Sequence, residues 1–317
     1  MKYFLICLLP PVLFLAAVTA VYGLEVRLLF QKIRKKPGRF FSKRNLPLHA
    51  LALLGLLCAG WGFFVEPWRL QINTFTIYTD KLNDTSVRIV QISDLHCDLR
   101  TRLEPRLVEQ INQLKPDLIV LTGDALNHKD ALPLLHKTLY SMHSSIGKYA
   151  VRGNVDNRKF KTVSLFEGTG FAELSMDALT LEKDGQSFGL CGIDHALGPN
   201  SIQALRHLSS DRFNILLFHN TDLVEYLESK PVDLYLCGHT HGGQIALPLW
   251  GSLLADSVRN KQYESGLYRV GRMDLYVNRG VGMTDGLLPR ARFWAVPEIA
   301  VFDIVPKTRT IAEIKTD

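Results

Sequence analysis

The chain has 317 residues, of which 47% are hydrophobic, so it can build one large domain with a substantial core and an additional segment. Its formal charge of +6 is concentrated at the amino terminus, where residues 1–65 contain nine Lys or Arg and one acidic residue. Beyond residue 65, 28 of the 37 basic residues stand against 30 of the 31 acidic ones, which argues against nucleic acid as a partner.

Two apolar segments precede everything else in the chain. Residues 3–24 carry no charge, and in residues 46–65 only His49 is ionisable. Each segment is close to the ~20 residues that a helix needs to cross a bilayer. The basic stretch between them suits anionic headgroups at a cytoplasmic membrane face. We therefore predict a membrane anchor over residues 1–66 and a catalytic domain over residues 67–317.

Three arrangements of this anchor are compatible with the sequence. If both segments span the membrane and the basic loop is cytoplasmic, the catalytic domain lies outside. A re-entrant or interfacial hairpin would keep that domain in the cytoplasm. A secretory signal with a loose cleavage site at Val18-Thr19-Ala20 is the third, although the second apolar segment argues against it. Because the five cysteines show no disulfide-like spacing, we predict an inner-membrane protein with a cytoplasmic catalytic domain.

The rest of the chain alternates strand and helix patterns. Residues 70–80 alternate like an edge strand, and a turn at residues 183–186 joins two strands that begin a second sheet. Amphipathic patterns predict helices over residues 101–114, 131–142, 162–170, 201–208 and 221–228. The final strands are predicted at residues 275–277 and 299–304.

Five apolar strands are each followed by side chains that can bind a metal ion. After the first three of these strands, the ligand positions 94, 124 and 154 are 30 residues apart, the length of one βαβ unit. Open α/β sheets gather their ligands at the carboxyl ends of strands, so we expect these side chains to converge. In chain order they are Asp94, His96, Asp124, Asn154, His219, His239 and His241.

The ordered motifs Asp-x-His, Gly-Asp, Gly-Asn-x-Asp, His and Gly-His-x-His resemble the calcineurin-like metallophosphoesterases over residues 87–304. The stretches 238–244 and 276–280 are similar to the membrane-anchored branch of that superfamily. With its anchor, the chain resembles the chlamydial-type hydrolases of UDP-2,3-diacylglucosamine in the lipid A pathway. The resemblance implies a four-layer α/β/β/α sandwich of two mixed sheets with helices outside.

The same resemblance implies a centre with two divalent ions. One ion would be held by Asp94, His96, Asp124 and His241, and the other by Asp124, Asn154, His219 and His239. Asp124 would bridge the two ions and act in catalysis together with His241. Imidazole combined with oxygen ligands suits Mn²⁺, with Fe²⁺ or Zn²⁺ as alternatives. Such ions would activate water for in-line attack on phosphorus.

Val155 departs from the pattern of the family. Most members have a histidine there, proposed as the acid that protonates an alkoxide leaving group. Valine cannot transfer a proton, and a phosphate leaving group has little need of one. Val155 therefore favours a pyrophosphate substrate. The alternative is that another residue, such as His195, supplies the proton.

The sequence thus predicts hydrolysis of UDP-2,3-diacylglucosamine to UMP and 2,3-diacylglucosamine 1-phosphate, with membrane lipids around the anchor. Arg158 and Arg279 could clamp phosphate oxygens, although an exposed structural role is an equal alternative for each. The competing functions are a phosphodiesterase or phosphatase of broad range and a metal-stabilised scaffold without activity.

Overall fold

A computed structural model describes residues 7–34, 40–253, 258–284 and 289–307. It begins with two long apolar helices, α1 (Leu9–Ile33) and α2 (Leu46–Phe64). They pack together as a hairpin, in which the Tyr22 hydroxyl donates to Ala52 O at 2.9 Å and His49 Nδ1 lies 2.7 Å from Glu25 Oε1. At 1.5 Å per residue the helices are about 38 and 28 Å long. By length and composition, both can cross a membrane.

The remaining residues form two six-stranded mixed sheets and a small hairpin. The strands, in chain order, are β1 (Gln71–Thr79), β2 (Val87–Ile92), β3 (Leu118–Thr122), β4 (Gly147–Val151), β5 (Phe171–Glu173), β6 (Met176–Lys183), β7 (Gln186–Ile193), β8 (Asn214–Leu217), β9 (Leu234–Cys237), β10 (Ala246–Leu247), β11 (Gly251–Ser252), β12 (Gly266–Val270), β13 (Met273–Val277) and β14 (Glu298–Pro306).

The strand order is β1-β14-β2-β3-β4-β5 in the first sheet and β12-β13-β9-β8-β7-β6 in the second. Strands β2 to β5 are parallel to one another, as are β7, β8, β9 and β13. Because parallel strands end at the same edge, the loops that follow β2, β3 and β4 are neighbours, as are the loops that follow β8 and β9. The predicted edge strand is confirmed as β1, which lies at the edge of the first sheet next to β14.

The two sheets face each other across a continuous apolar core. Ile89 and Val120 of the first sheet belong to the same buried cluster as Leu217 and Leu236 of the second. The next residue along β2, Val90, lies instead in the cluster on the outer face, as the two-residue alternation of a strand requires. The second sheet has its own outer cluster. The predicted four-layer sandwich is therefore confirmed.

The helical layers differ from the prediction in part. The helices predicted over residues 101–114 and 131–142 are confirmed as α3 (Glu104–Gln113) and α4 (Leu132–Tyr140). Two short helices, α5 (Asn154–Lys159) and α6 (Val258–Gln262), are also present. The prediction of a helix over residues 162–170 is wrong. Gly168 and Gly170 have φ of +72° and +79°, and Arg152 Nη2 donates to Val163 O, a carbonyl that an α-helix would need.

Two further segments predicted as helices form only tight 3₁₀ turns. The first runs from His195 to His207 and is kinked at Gly198, whose φ is +56°. The second covers Val224–Tyr226, and the Thr221 hydroxyl donates to Asn260 Oδ1 at 3.1 Å instead of capping a helix. The layer outside the second sheet is consequently thinner than the α-helical layer outside the first.

The end of α2 is packed directly onto the catalytic domain. Glu66 is buried and accepts hydrogen bonds from Trp61 Nε1 at 2.9 Å and from Ala295 N at 2.6 Å. Gly62 O accepts from Arg292 N at 2.9 Å. These contacts hold the last turn of α2 against the loop that precedes β14. The boundary at residue 66 stays a prediction, but contacts between the two parts cross it.

Candidate metal centre

The loop after β2 and the loop after β9 bring three donor atoms together. His96 Nε2 lies 3.2 Å from His241 Nε2, and His241 Nε2 lies 3.4 Å from Asp94 Oδ1. All three side chains are buried. Their donor atoms are close enough to one another to hold a metal ion.

One oxygen of this group lacks a hydrogen-bond partner among the described residues. Asp94 Oδ2 accepts from Ser93 Oγ at 2.6 Å and from His239 N at 3.0 Å, whereas the buried Asp94 Oδ1 accepts from none. A buried carboxylate oxygen without a partner is unfavourable unless a cation compensates its charge. The oxygen and its two histidine neighbours therefore fit a bound divalent cation.

Asp124 lies between this first group and a second one. Its Oδ2 is 3.7 Å from His96 Nε2 and 3.4 Å from His219 Nε2. Asn154 Oδ1, at the start of α5, is 2.9 Å from His219 Nε2 and 3.2 Å from His239 Nδ1. Asp94, Asp124 and His219 form a second set that could hold a metal ion. This central position is the one that a bridging carboxylate requires.

Strained backbone conformations are concentrated among these side chains. Five of the seven predicted ligands have a positive φ: Asp94, His96, Asp124, His239 and His241. Each such conformation costs a non-glycine residue about 1–3 kcal/mol and persists only where surrounding contacts enforce it. Gly238 shows how close those contacts are, because a Cβ there would collide with Ser93 Oγ and Asp94 Oδ2.

Groups behind the histidines fix which ring nitrogen faces the centre. His96 Nδ1 lies 2.8 Å from Asn127 Oδ1, and His219 Nδ1 lies 2.8 Å from Thr122 O. Both partners accept hydrogen bonds, so each Nδ1 is assigned the proton and each Nε2 keeps its lone pair for a metal ion. The sequence analysis missed Asn127, although its place three residues after Asp124 in the same loop was a usable signal.

Replacing Asn127 by alanine is expected to weaken metal binding about 10–100-fold, because the His96 ring loses the acceptor that orients it. Asn127→Asp keeps an acceptor oxygen and should lose much less. Titrating the metal-free protein with Mn²⁺ in a calorimeter measures both variants. Equal affinities for the wild type and Asn127→Ala would contradict this role.

The charges at the centre favour the protonation states that ligands need at Asp124, His96 and His241. At His219, burial opposes the charged ring, but the charge of Asp124 and its hydrogen bond raise the pKa to about 10, so a metal ion must displace the proton of that ring. Burial opposes ionisation of Asp124, yet the charge of His219 and its hydrogen bond hold the pKa of Asp124 below its usual range. Burial lowers the pKa of His96, and burial together with the nearby His96 and Arg292 lowers that of His241. Burial and the charge of Asp124 raise the pKa of Asp156 to about 7. A charged Asp124 and neutral rings at His96 and His241 are the forms that bind divalent cations.

Arg292 is a second residue that the sequence analysis missed. It is fully buried, and its guanidinium donates to Arg279 O at 2.7 Å and to Ala295 O at 3.1 Å, as well as to Gly282 O. Its Nη2 lies 3.3 Å from His241 Nδ1. Since its backbone N–H also binds α2, Arg292 connects the last turn of α2 to the loop beside the metal centre. No sequence pattern marks this arrangement.

The three predicted substrate contacts lie in different surroundings. The His195 ring centroid is 5.7 Å from that of His219, and burial, followed by the nearby His219, lowers the pKa of His195 to about 4. Arg279 is held by Glu298, with Nη2 and Oε2 2.5 Å apart. Arg158 is exposed at the end of α5, and its side chain forms no hydrogen bond with a described residue. Their contacts with substrate stay predictions.

Val155 contributes its backbone N–H to the metal centre, whereas its side chain is part of the core. Its N–H donates to Asp124 Oδ1 at 2.8 Å, while its side chain is buried in the core beneath α3 and α4. The backbone of Val155 thus orients Asp124, and its side chain offers no proton.

Comparisons with known proteins agree with this geometry. A family model described as calcineurin-like phosphoesterase matches residues 87–243. An uncharacterized metallophosphoesterase of Bacillus subtilis, YkuE, is 35% identical over 79% of this chain and 92% of its own length. The phosphodiesterase YaeI of Escherichia coli is 28% identical over 83% and 99%. The UDP-2,3-diacylglucosamine pyrophosphatase LpxG of Chlamydia muridarum is 27% identical over 82% and 97%.

Proposed function

The chain belongs to the calcineurin-like phosphoesterase family, and from this premise we propose that its seven clustered side chains bind two divalent metal ions for phosphoryl hydrolysis. The observation that carries the proposal is Asp124, whose Oδ2 lies within 4 Å of a histidine from each group. The ligands proposed are Asp94, His96, Asp124 and His241 for one ion, and Asp124, Asn154, His219 and His239 for the other.

The two ions, when bound, would lower the pKa of a water and offset the charge on the phosphoryl oxygens. The protein's own part is to hold the ligands in place. Asn127 and Thr122 O fix the rings of His96 and His219, and the N–H of Val155 fixes Asp124. Imidazole and oxygen donors together favour Mn²⁺, with Fe²⁺ or Zn²⁺ as alternatives.

The substrate that we propose is UDP-2,3-diacylglucosamine. Water oxygen would bond to the phosphorus of the UMP half, and the bond from that phosphorus to the bridging oxygen would break. The products are UMP and 2,3-diacylglucosamine 1-phosphate, with the protons of water released to solvent. Two observations support this choice: the activity named for the chlamydial relative, and the absence of a proton donor in the Val155 side chain.

The apolar helices associate the protein with a membrane, which we propose is the inner membrane with the catalytic domain on its cytoplasmic side, where UDP-linked substrates are made. One observation favours a different function. Helices α1 and α2 are long enough to span, and a spanning hairpin would place the basic loop between them across the membrane from the catalytic domain. A cytoplasmic basic loop would then put the active site outside. That arrangement suits a phosphodiesterase or phosphatase of other or broad substrate range.

Purified full-length protein with Mn²⁺ is expected to release UMP from UDP-2,3-diacylglucosamine, and EDTA is expected to stop the release. Mass spectrometry identifies both products. Activity toward glycerol 2-phosphate, an alkyl monoester, should be lower, because its alkoxide leaving group needs a proton that the Val155 side chain cannot supply. Faster hydrolysis of the monoester, with no release of UMP, would overturn the proposed substrate and favour the outward-facing phosphatase.

A further inference from the structure

A groove leads from the candidate metal centre to the end of α2. This cavity of about 550 Å³ is lined by His96 and Asn127 of the candidate metal centre and by Trp68, four residues beyond α2. Leu99, Arg100 and Arg290 also line it. A molecule in this groove would therefore touch the metal centre and the exit of the apolar helix at the same time.

A membrane-spanning α2 would bring its last turn to the depth where the bilayer meets water. A second cavity, of about 510 Å³, is lined by Leu57 and Trp61 of α2 together with Trp294 of the catalytic domain. Trp294 is 63% exposed although it lies beside this apolar helix. Tryptophans are enriched at membrane interfaces, where their ring is apolar and their N–H is polar. A spanning α2 would therefore bring the domain against the bilayer surface, with Trp68 near its edge.

The groove has an apolar part and a charged part, in which Arg100, Arg102 and Arg290 stand against Asp98 and Glu104. Trp68 and Leu99 are 52% and 61% exposed, which is unusual for large apolar side chains that lie close together. Arg100 is exposed and forms no hydrogen bond or ion pair with any residue that the structure describes. Arg290 is paired with Asp98. An amphiphile with an apolar chain and a phosphate complements these surfaces.

The walls of the groove are held to both of its ends. Arg102, in the loop that forms one wall, donates to Pro67 O next to Trp68 and to Val281 O, at 2.5 Å, on the metal side. Glu66, bonded to Trp61 and to Ala295 N, fixes the exit of α2. These contacts fix the wall of the groove to the exit of α2 and to the loop beside the metal centre.

We propose that this groove holds the acyl part of a membrane lipid whose phosphate or diphosphate is hydrolysed at the metal centre. Trp68 and Leu99 contact the chain, and Arg100 contacts the anionic part next to the scissile bond. This inference rests on the proposed function, because it supplies the path by which a diacylated substrate reaches the metal ions while its chains remain near the membrane.

The test compares a lipid substrate with a soluble one in the same detergent and Mn²⁺. Leu99→Glu is expected to lower the ratio of kcat/KM for UDP-2,3-diacylglucosamine to kcat/KM for bis(p-nitrophenyl) phosphate at least about tenfold, since a charge in the groove repels an acyl chain. Tyr140→Glu is the matched control, because Tyr140 is an equally exposed side chain at the end of α4, outside the groove. The control should leave the ratio unchanged. An unchanged ratio in Leu99→Glu would overturn the groove.

A second measurement does not depend on which lipid is hydrolysed. The full chain is placed in vesicles that contain phosphatidic acid with a photoreactive diazirine in its acyl chain, and the labelled peptides are identified by mass spectrometry. Labelling of Trp68 or residues 95–104, reduced in Leu99→Glu relative to that of α2, supports the groove. Labelling confined to α1 and α2 overturns it. Absence of UMP release by the wild type counts against the proposed substrate alone, since the labelling result stands without it.

Discussion

Replacing Asp124 by alanine is expected to lower kcat for phosphoryl hydrolysis by about 10²- to 10³-fold. Loss of one preorganised charge at a reacting centre typically costs 10²- to 10³-fold, and Asp124 lies between both groups of ligands. The same substitution should reduce the metal content below two ions per chain. Mass spectrometry of the bound metal and steady-state kinetics measure the two effects on one preparation.

The matched control for this experiment is Asp130→Ala. Asp130 is also an aspartate from the loop after β3, but its side chain is 77% exposed and lies away from the proposed ligands. Its removal should change neither metal content nor kcat. If Asp124→Ala kept full activity with two ions bound, the assignment of a bridging carboxylate would be wrong.

Replacing Arg292 by methionine is expected to destabilise the folded protein by about 3–5 kcal/mol. Arg292 is fully buried, and its loss leaves the carbonyls of Arg279, Gly282 and Ala295 without their donor. For a domain of this size the loss corresponds to a fall in Tm of roughly 10 °C. Metal affinity should fall as well, because the loop that Arg292 binds packs beside His241.

Thermal unfolding followed by tryptophan fluorescence, in one detergent and with EDTA present, separates the stability effect from metal binding. Arg269→Met serves as the control, since Arg269 has a 61% exposed side chain and an ion pair with Asp274, worth less than about 1 kcal/mol. Arg292→Lys keeps the charge but has fewer donors and should be intermediate. A Tm for Arg292→Met within the error of the wild-type value would refute the role given to this residue.

The joint between α2 and the catalytic domain gives these predictions a common structural basis. Arg292 N donates to Gly62 O of α2, and the guanidinium of the same residue contacts the loop at the metal centre. Glu66 connects Trp61 to Ala295 in the same region. The apolar helix is therefore a structural part of the catalytic domain, in addition to an attachment to the membrane.

The sequence by itself determined the fold class and the set of candidate ligands. Buried strands must be apolar, and parallel strands must end at one edge, so a ligand after each of five apolar runs was enough to predict convergence. The structure brings Asp94, His96, Asp124, Asn154, His219, His239 and His241 together as expected. Each apolar run and the ligand that follows it are adjacent in the sequence, so this pattern can be recognised without knowledge of the fold.

Only the tertiary structure decided what supports and surrounds these ligands. Arg292 binds backbone carbonyls, which every residue carries, so no residue type marks its partners in the sequence. Arg279 is bound to Glu298, nineteen positions away, a contact that no sequence pattern marks, and its contact with phosphate stays a prediction. Residues 162–170 carried a helical pattern, but left-handed glycines and the bonds of Arg152 decided otherwise. In each case the deciding contact joins distant or chemically unmarked groups, and such contacts exist only once the chain has folded.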